Sequence, residues 1–427
     1  MSIMKKGDFL YESYIKILKE ELVPAMGCTE PICLAYAASK ARDVLGEKPL
    51  KVEVYASRNI IKNVKSVVVP NTDGLKGIAA SVAAGVVAGA TEKELECIAY
   101  VTDEEKVGIA DFLDDIPITV APLSCKAQLE ALVVLYGDNH TAAVKVSEYH
   151  TNIVLIKKDD EILYENTCYE SKSSNLTDRS ILTVADIYDF ANSVNIDDIK
   201  PIIGPQIINN KAISQEGLKN PWGANIGKTI LSMGEGVRYK ARAWAAAGSD
   251  ARMSGCEMPV IINSGSGNQG MTASLPVLAY ADEYDIDEER VYRALALSNL
   301  ITIHEKTGIG RLSAYCGVVC AGCASAAGIA YLLGEDLDTI SHTLINSLNI
   351  VSGIICDGAK PSCAGKIDAA VSAGLMGYEM YKQGNMFCCG EGLVGANVEE
   401  TIERIGRLGR EGMRKTDEEI IKIMVGN

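Results

Sequence analysis

Apolar residues recur at helical spacing over residues 9–22, and Pro24 ends that run. The segment Ala25–Cys33 (AMGCTEPIC) is a glycine-containing turn. Thr29 suits the N-cap of the next helix and Pro31 fits just inside it; that helix runs to about Arg42. Residues 50–56 (LKVEVYA) alternate and predict a strand. Residues 76–90 form a small-residue helix, and 95–122 read as strand, helix and strand. Residues 142–169 carry two or three antiparallel strands with a turn at Asp159–Asp160, and 171–178 is polar and turn-like. From about 179 the pattern turns helical, with helices expected at 183–193, 222–247, 271–283, 287–303, 312–333, 337–350, 365–379 and 409–425. The stretch PIIGPQIINN (201–210) reads as a loop. The expected fold class is therefore α+β. Residues 1–49 and 180–427 make a mainly helical domain, and 50–179 a smaller α/β domain whose regular part is roughly 50–170.

Composition narrows this picture. Aromatics are scarce, while Ala, Ile, Val and Leu are joined by 39 glycines, so helices can approach one another closely. The formal net charge of −15 argues against general affinity for nucleic acid or anionic membrane. The early lysine pair is not followed by a long apolar run, and the most apolar stretches, 78–90 and 317–333, are too short or too small-sided to span a bilayer. A cytoplasmic protein is expected. Apolar helices leave room for a homodimer.

The thirteen cysteines change the picture most. In such a chain they are a poor disulfide framework, and seven of them lie between 316 and 389, which points to thiolate ligation of a metal. Four histidines make His-rich zinc chemistry less attractive. Cys356 and Cys363 flank a loop containing Gly358 and Pro361, which folds back so that both thiolates face one point. Lys360 and Lys366 flank this pair and would lower thiol pKa values or hold an anion. Cys316, Cys320 and Cys323 share one helical face; such a stripe usually packs, and only Cys316, at the helix start, is expected to ligate. Cys28, beside a helix N-terminus where a thiolate is favoured, is a fourth ligand, a base near the substrate, or inert. Cys388 and Cys389 are taken as structural.

The loop Ile262–Thr272 (INSGSGNQGMT) enters a helix without a nucleotide-binding pattern. Its Ser264, Ser266, Asn268 and Gln269, together with backbone N–H groups, suit a small anion such as an amino-acid carboxylate. His304 is a candidate base or an orienting group, and Arg58 and Arg311 are candidate carboxylate partners.

Five separated segments, AMGCTEP, NSGSGNQGM, LSAYCG, ICDGAKPSCAGK and IGRLGREGM, resemble in this order the L-cysteine desulfidase family, related to the α domain of iron–sulfur L-serine dehydratases. The resemblance runs from about residue 20 to the C-terminus. It implies a [4Fe–4S] cluster in the helical domain with three cysteine ligands, here Cys316, Cys356 and Cys363, and one open iron. It implies β-elimination from L-cysteine to pyruvate, ammonia and hydrogen sulfide. Cys28, His304 and Lys360 are then the catalytic candidates, and Ser264, Ser266, Asn268, Gln269 and Arg58 the substrate-binding ones. L-Serine dehydration at the same cluster is the nearest alternative. A redox-sensing or structural cluster without turnover is the alternative from another class.

Overall fold

The computed structural model describes residues 4–123, 127–166, 176–310 and 312–425. Helix α1 (Phe9–Glu21) leads through a short strand, β1 (Pro24–Met26), into helix α2 (Thr29–Leu45). The N-cap of α2 is Cys28, one residue before the expected Thr29, and Gly46, at φ 75°, closes the helix.

The alternation over 50–56 is β2 (Lys51–Ala56), followed by α3 (Arg58–Val64) and the small-residue helix α4 (Gly77–Ala88). No strand forms at 95–101. Leu95, Cys97 and Ile98 are buried one by one, and the Asn71 side chain bonds the Ile98 carbonyl at 2.7 Å, so this backbone is satisfied without a sheet. Helix α5 (Asp103–Asp115) then starts at a Thr102–Glu105 capping box.

Strands β3 (Ile118–Pro122), β4 (Glu130–Tyr136), β5 (Thr141–Ser147), β6 (Ile153–Lys158) and β7 (Glu161–Glu165) complete a sheet of order β3-β2-β4-β5-β6-β7 among the described residues. Only the β2–β3 pair is parallel; β4 is a strand that the sequence pattern did not predict. Period-two alternation puts Val52 and Val54 (β2), Val133 and Leu135 (β4) and Ala142 and Val144 (β5) on one buried face. Helix α2 covers that face and also packs on α4. Gly85 permits the close α2–α4 crossing: a Cβ there would lie 2.1 Å from the Ala35 carbonyl oxygen.

The rest is a helical body: α6 (Val184–Ser193), α7 (Ile196–Lys219), α8 (Ile226–Met233), α9 (Val237–Met253), strand β8 (Pro259–Ile261), α10 (Gly267–Glu283), α11 (Glu288–Ile309), α12 (Val318–Leu332), α13 (Leu337–Val351), α14 (Cys363–Lys382), α15 (Val398–Arg407) and α16 (Arg414–Val425). The α+β class with a mainly helical body is thus observed. The stretch 201–210 is not a loop but part of α7, which carries Pro201 and Pro205 inside. Burial of Ile199, Ile202, Ile203, Gln206, Asn210 and Ile213 follows a helical period, and packing against α9, α10 and α11 outweighs the two lost backbone donors. The helix expected at 222–247 is divided at Gly234 and Gly236 into α8 and α9.

Every residue of α12 is buried, between α10, α11, α13 and α14. Cys320 and Cys323 lie within it, whereas Cys316 precedes it, so the expected one-face stripe is broken at its first member. Among the described residues no helix is long and apolar enough to cross a membrane.

Candidate active site

Two pieces of backbone pairing assemble the site. Strand β1 pairs antiparallel with β8, Ala25 opposite Val260, and Thr29 Oγ1 donates to the Gly265 carbonyl at 3.0 Å. The turn carrying Cys28 and the loop carrying Ser264–Gln269 thereby become neighbours. An isolated bridge between Tyr315 and Ile355 does the same for the cysteines: the Cys316 amide donates to Ile354 O at 3.0 Å and the Cys356 amide to Ala314 O at 2.6 Å. The loop then turns at Gly358 (φ 91°), where a Cβ would meet the Lys62 carbonyl at 2.5 Å, so glycine is required twice over. Cys363 opens α14 as expected.

These segments enclose one cavity of about 100 Å³. Cys316, Cys356 and Cys363 all line it, with Cys28 among them. So do Ser266, Asn268 and Gln269 of the loop. Glu30, Lys62, Asn63, Arg252 and Lys306 add charged and amide groups to its lining; the sequence assigned none of these five a role. Glu30 stands within the AMGCTEP segment, and that adjacency was the available signal. Arg252, at the end of α9, carried none.

Other expected residues lie elsewhere. Ser264 lines an adjacent pocket with Glu21, Arg179 and Thr307; Lys306 borders both spaces. His304 is not on the cavity lining: its Nε2 meets Glu399 Oε2 at 2.6 Å, and Glu399 Oε1 accepts from the Val184 amide, so the histidine ties α11 to α15 and α6. Lys360 turns to Asp357, with Nζ 2.5 Å from Oδ1, and is also absent from the lining. Arg58 is exposed at the start of α3. Arg311, Cys125 and Cys168 lie outside the described residues.

The charges are ordered. The Cys28 thiol donates to Glu30 Oε2 at 3.1 Å. Burial, and then the Glu30 charge, push Cys28 well above the ordinary thiol range, overcoming the opposite pull of Arg252. The sequence expectation of a thiolate at this helix N-terminus is therefore reversed: Cys28 holds its proton. Burial would raise Glu30 too, but His150, the Cys28 thiol and the Asn63 amide at 3.0 Å hold it below the ordinary carboxylate value. Cys356 is lowered, chiefly by its Cys316 neighbour and further by Lys62 and Lys366, while Cys316 is raised by the same contact.

The donor set suits an iron–sulfur cluster better than a single ion. Among the described residues no group of three or more His, Cys, Asp or Glu is arranged to hold one metal ion. Around a cluster each thiolate binds a different iron, so the three need not converge on one point. Cys316, Cys356 and Cys363 line a shared space, and Lys62 and Lys366, each also paired with a carboxylate (Asp417 and Asp357), lower the Cys356 thiol.

A buried amide network fixes the loop. Gln206 and Asn299 exchange two hydrogen bonds, at 3.0 and 2.8 Å. Asn263 Nδ2 donates to Asn299 Oδ1 at 2.9 Å, and Ser264 Oγ donates to Asn263 Oδ1 at 2.8 Å. Asn210 bonds both the amide and the carbonyl of Ile261. Every one of these amides is buried.

Residues 92–422 match the family described as the serine dehydratase alpha chain. The matched span holds Cys316, Cys356 and Cys363 but begins after Cys28. The chain is also 55% identical to the UPF0597 protein of Desulfitobacterium hafniense (strain Y51), over 99% of this chain and 98% of that one. It is 46% identical to the UPF0597 protein of Finegoldia magna, over 97% and 99% of the two chains, and 45% identical to that of Treponema denticola, over 97% and 98%.

Proposed function

The chain belongs to the serine dehydratase alpha chain family, and on that basis we propose that it is an iron–sulfur lyase that eliminates hydrogen sulfide from L-cysteine. One observation carries the reading: three cysteines from two distant segments and a glycine-rich loop line one cavity. Cys316, Cys356 and Cys363 would hold a [4Fe–4S] cluster. When bound, the cluster supplies an open Lewis-acidic iron for the substituent leaving Cβ.

The chain's own groups handle the proton and the orientation. Ser266, Asn268 and Gln269 hold the amino acid. The Cα proton passes to Cys28 Sγ as the Sγ proton passes to Glu30 Oε2, so the buried pair acts as one base. The C–S bond breaks, the electron pair leaves with sulfur, and the returned proton completes hydrogen sulfide. The aminoacrylate left behind tautomerises and takes up water to give pyruvate and ammonia. Met253, Val318 and Ala359 make the cavity wall apolar beside the thiols, a setting that favours a soft sulfide over a hard hydroxide.

L-Serine dehydration is the second reading, favoured by the family description itself. The deciding experiment is anaerobic iron reconstitution followed by pyruvate release from L-cysteine and L-serine in parallel. Preference for L-cysteine with equimolar sulfide supports the first reading and preference for L-serine the second. Pyruvate from neither, in protein holding a full cluster, sinks both.

A further inference from the structure

Arg252 is 2% exposed and lines the cavity. Its position in the last turn of α9 suits a cation, but the helix dipole does not explain why the guanidinium is buried. Among the described residues it has no carboxylate within ion-pair distance. The hydrogen bond from Nη1 to Asn268 Oδ1, at 3.1 Å, is its one polar contact there, and Nε has none. An arginine carries five N–H donors in a planar fork, and a buried one left mostly unpaired is costly unless a ligand completes it.

The guanidinium lies against the N-terminus of α10. Gly267 is the first residue of that helix, and a Cβ there would meet Arg252 Nε at 2.4 Å. The Ser266 side chain does not cap the helix, so the backbone donors of its first turn are not taken up by it. A cation and an uncapped helix N-terminus therefore share one wall. Two buried acceptors without partners, Gln269 Oε1 and Asn63 Oδ1, belong to residues lining the same cavity. An anion subsite with spare acceptors nearby is the complement of a zwitterion.

We infer that Arg252, with the first turn of α10, binds the α-carboxylate of the substrate, and that Gln269 Oε1 and Asn63 Oδ1 receive its ammonium group. This rests on the amino-acid lyase reading and adds the residue that makes a free α-carboxylate obligatory. Asn268 then has a second role, because its side chain orients the Arg252 fork.

The test uses the full chain, reconstituted anaerobically, as wild type, Arg252→Lys and Arg252→Gln, each first shown to keep the wild-type thermal midpoint within a few degrees. KM and kcat are measured with the amino acid that the wild type turns over. Binding of L-alanine, propionate and ethylamine is measured by calorimetry. In Arg252→Gln, KM should rise and L-alanine affinity should fall about 10- to 100-fold, with ethylamine unaffected. Arg252→Lys, which keeps the charge but loses the fork, should fall between. Wild-type KM and L-alanine affinity in both variants, or wild-type protein binding ethylamine as well as L-alanine, overturn the assignment. Should Arg252→Gln not fold, Arg252→Lys alone decides: an unchanged KM overturns the assignment and a raised one supports it. A wild type that releases no pyruvate from either amino acid and binds no L-alanine overturns the lyase reading and this inference with it.

Discussion

The backbones of Cys316 and Cys356 are locked side by side by the Tyr315–Ile355 bridge, each cysteine donating its amide to a carbonyl of the segment opposite, Ile354 and Ala314. Paired backbone holds the two cysteines as neighbours, and that neighbour with burial raises Cys316, while the neighbouring thiol, Lys62 and Lys366 lower Cys356. Cys363 reaches the same cavity from the first position of α14.

Removing any one of these three thiols should cost the cluster. Cys316→Ala, Cys356→Ala and Cys363→Ala are each expected to lose iron and visible absorbance after anaerobic reconstitution. Iron per chain is the measurement. A variant that retains the wild-type iron content was not a ligand.

Cys28 and Glu30 should separate from that behaviour. Cys28→Ala and Glu30→Gln are expected to keep the iron and to lower kcat by about 100-fold or more, the usual worth of a positioned acid or base. Iron content and pyruvate release on the same samples check this. Loss of iron in Cys28→Ala would instead make that residue a ligand.

Asn299 is the hub of the buried amides under the loop, bonded to Gln206 and Asn263. Asn299→Ala leaves Gln206 Oε1 buried without its donor, while Asn263 Nδ2 keeps the residue-299 carbonyl and Gln206 Nε2 keeps the Gly270 carbonyl, so the expected cost is about 1–3 kcal/mol. Urea denaturation should show it as a lower midpoint. A midpoint equal to wild type would mean that the loop does not depend on this network.

Asp250 holds the start of α8 by accepting the Gly227 amide at 2.9 Å, and burial pushes its carboxyl up to about 6 despite that bond. The folded chain therefore holds this proton more tightly than the unfolded chain does. Stability from this group falls as pH rises from about 4 to about 6, by about 3 kcal/mol at most, and is flat above. Asp250→Asn keeps an acceptor for Gly227 without the charge. It should raise the thermal midpoint relative to wild type at pH 7.5 and bring the two together at pH 4. A wild-type advantage at pH 7.5 would contradict this.

Much of the fold could be read from periodicity, because burial repeats every two residues in β2 and β5 and every three or four in α1 and α6. Reading failed where packing overruled local preference. The prolines of α7 suggested a loop, yet its buried isoleucines bind it into the helical body. His304 and Lys360 read as catalytic candidates, yet both lie off the cavity lining: His304 Nε2 meets Glu399, which only folding brings near, and Lys360 pairs with Asp357, three residues before it.

The residues of the site were legible within their local segments. Cysteine chemistry, the glycine and proline turns, and the start of α14 at Cys363 depend on neighbours in the chain and can be read from it. Which segments share a cavity, and which charges survive there, was settled by folding alone. The β1–β8 pair and the Tyr315–Ile355 bridge join stretches far apart in sequence, and no local pattern encodes such contacts. Whether a group is charged depends on its buried neighbours. That is why Cys28, which reads as a thiolate at a helix start, keeps its proton beside Glu30, and why Arg252 emerged only when the cavity around it was closed.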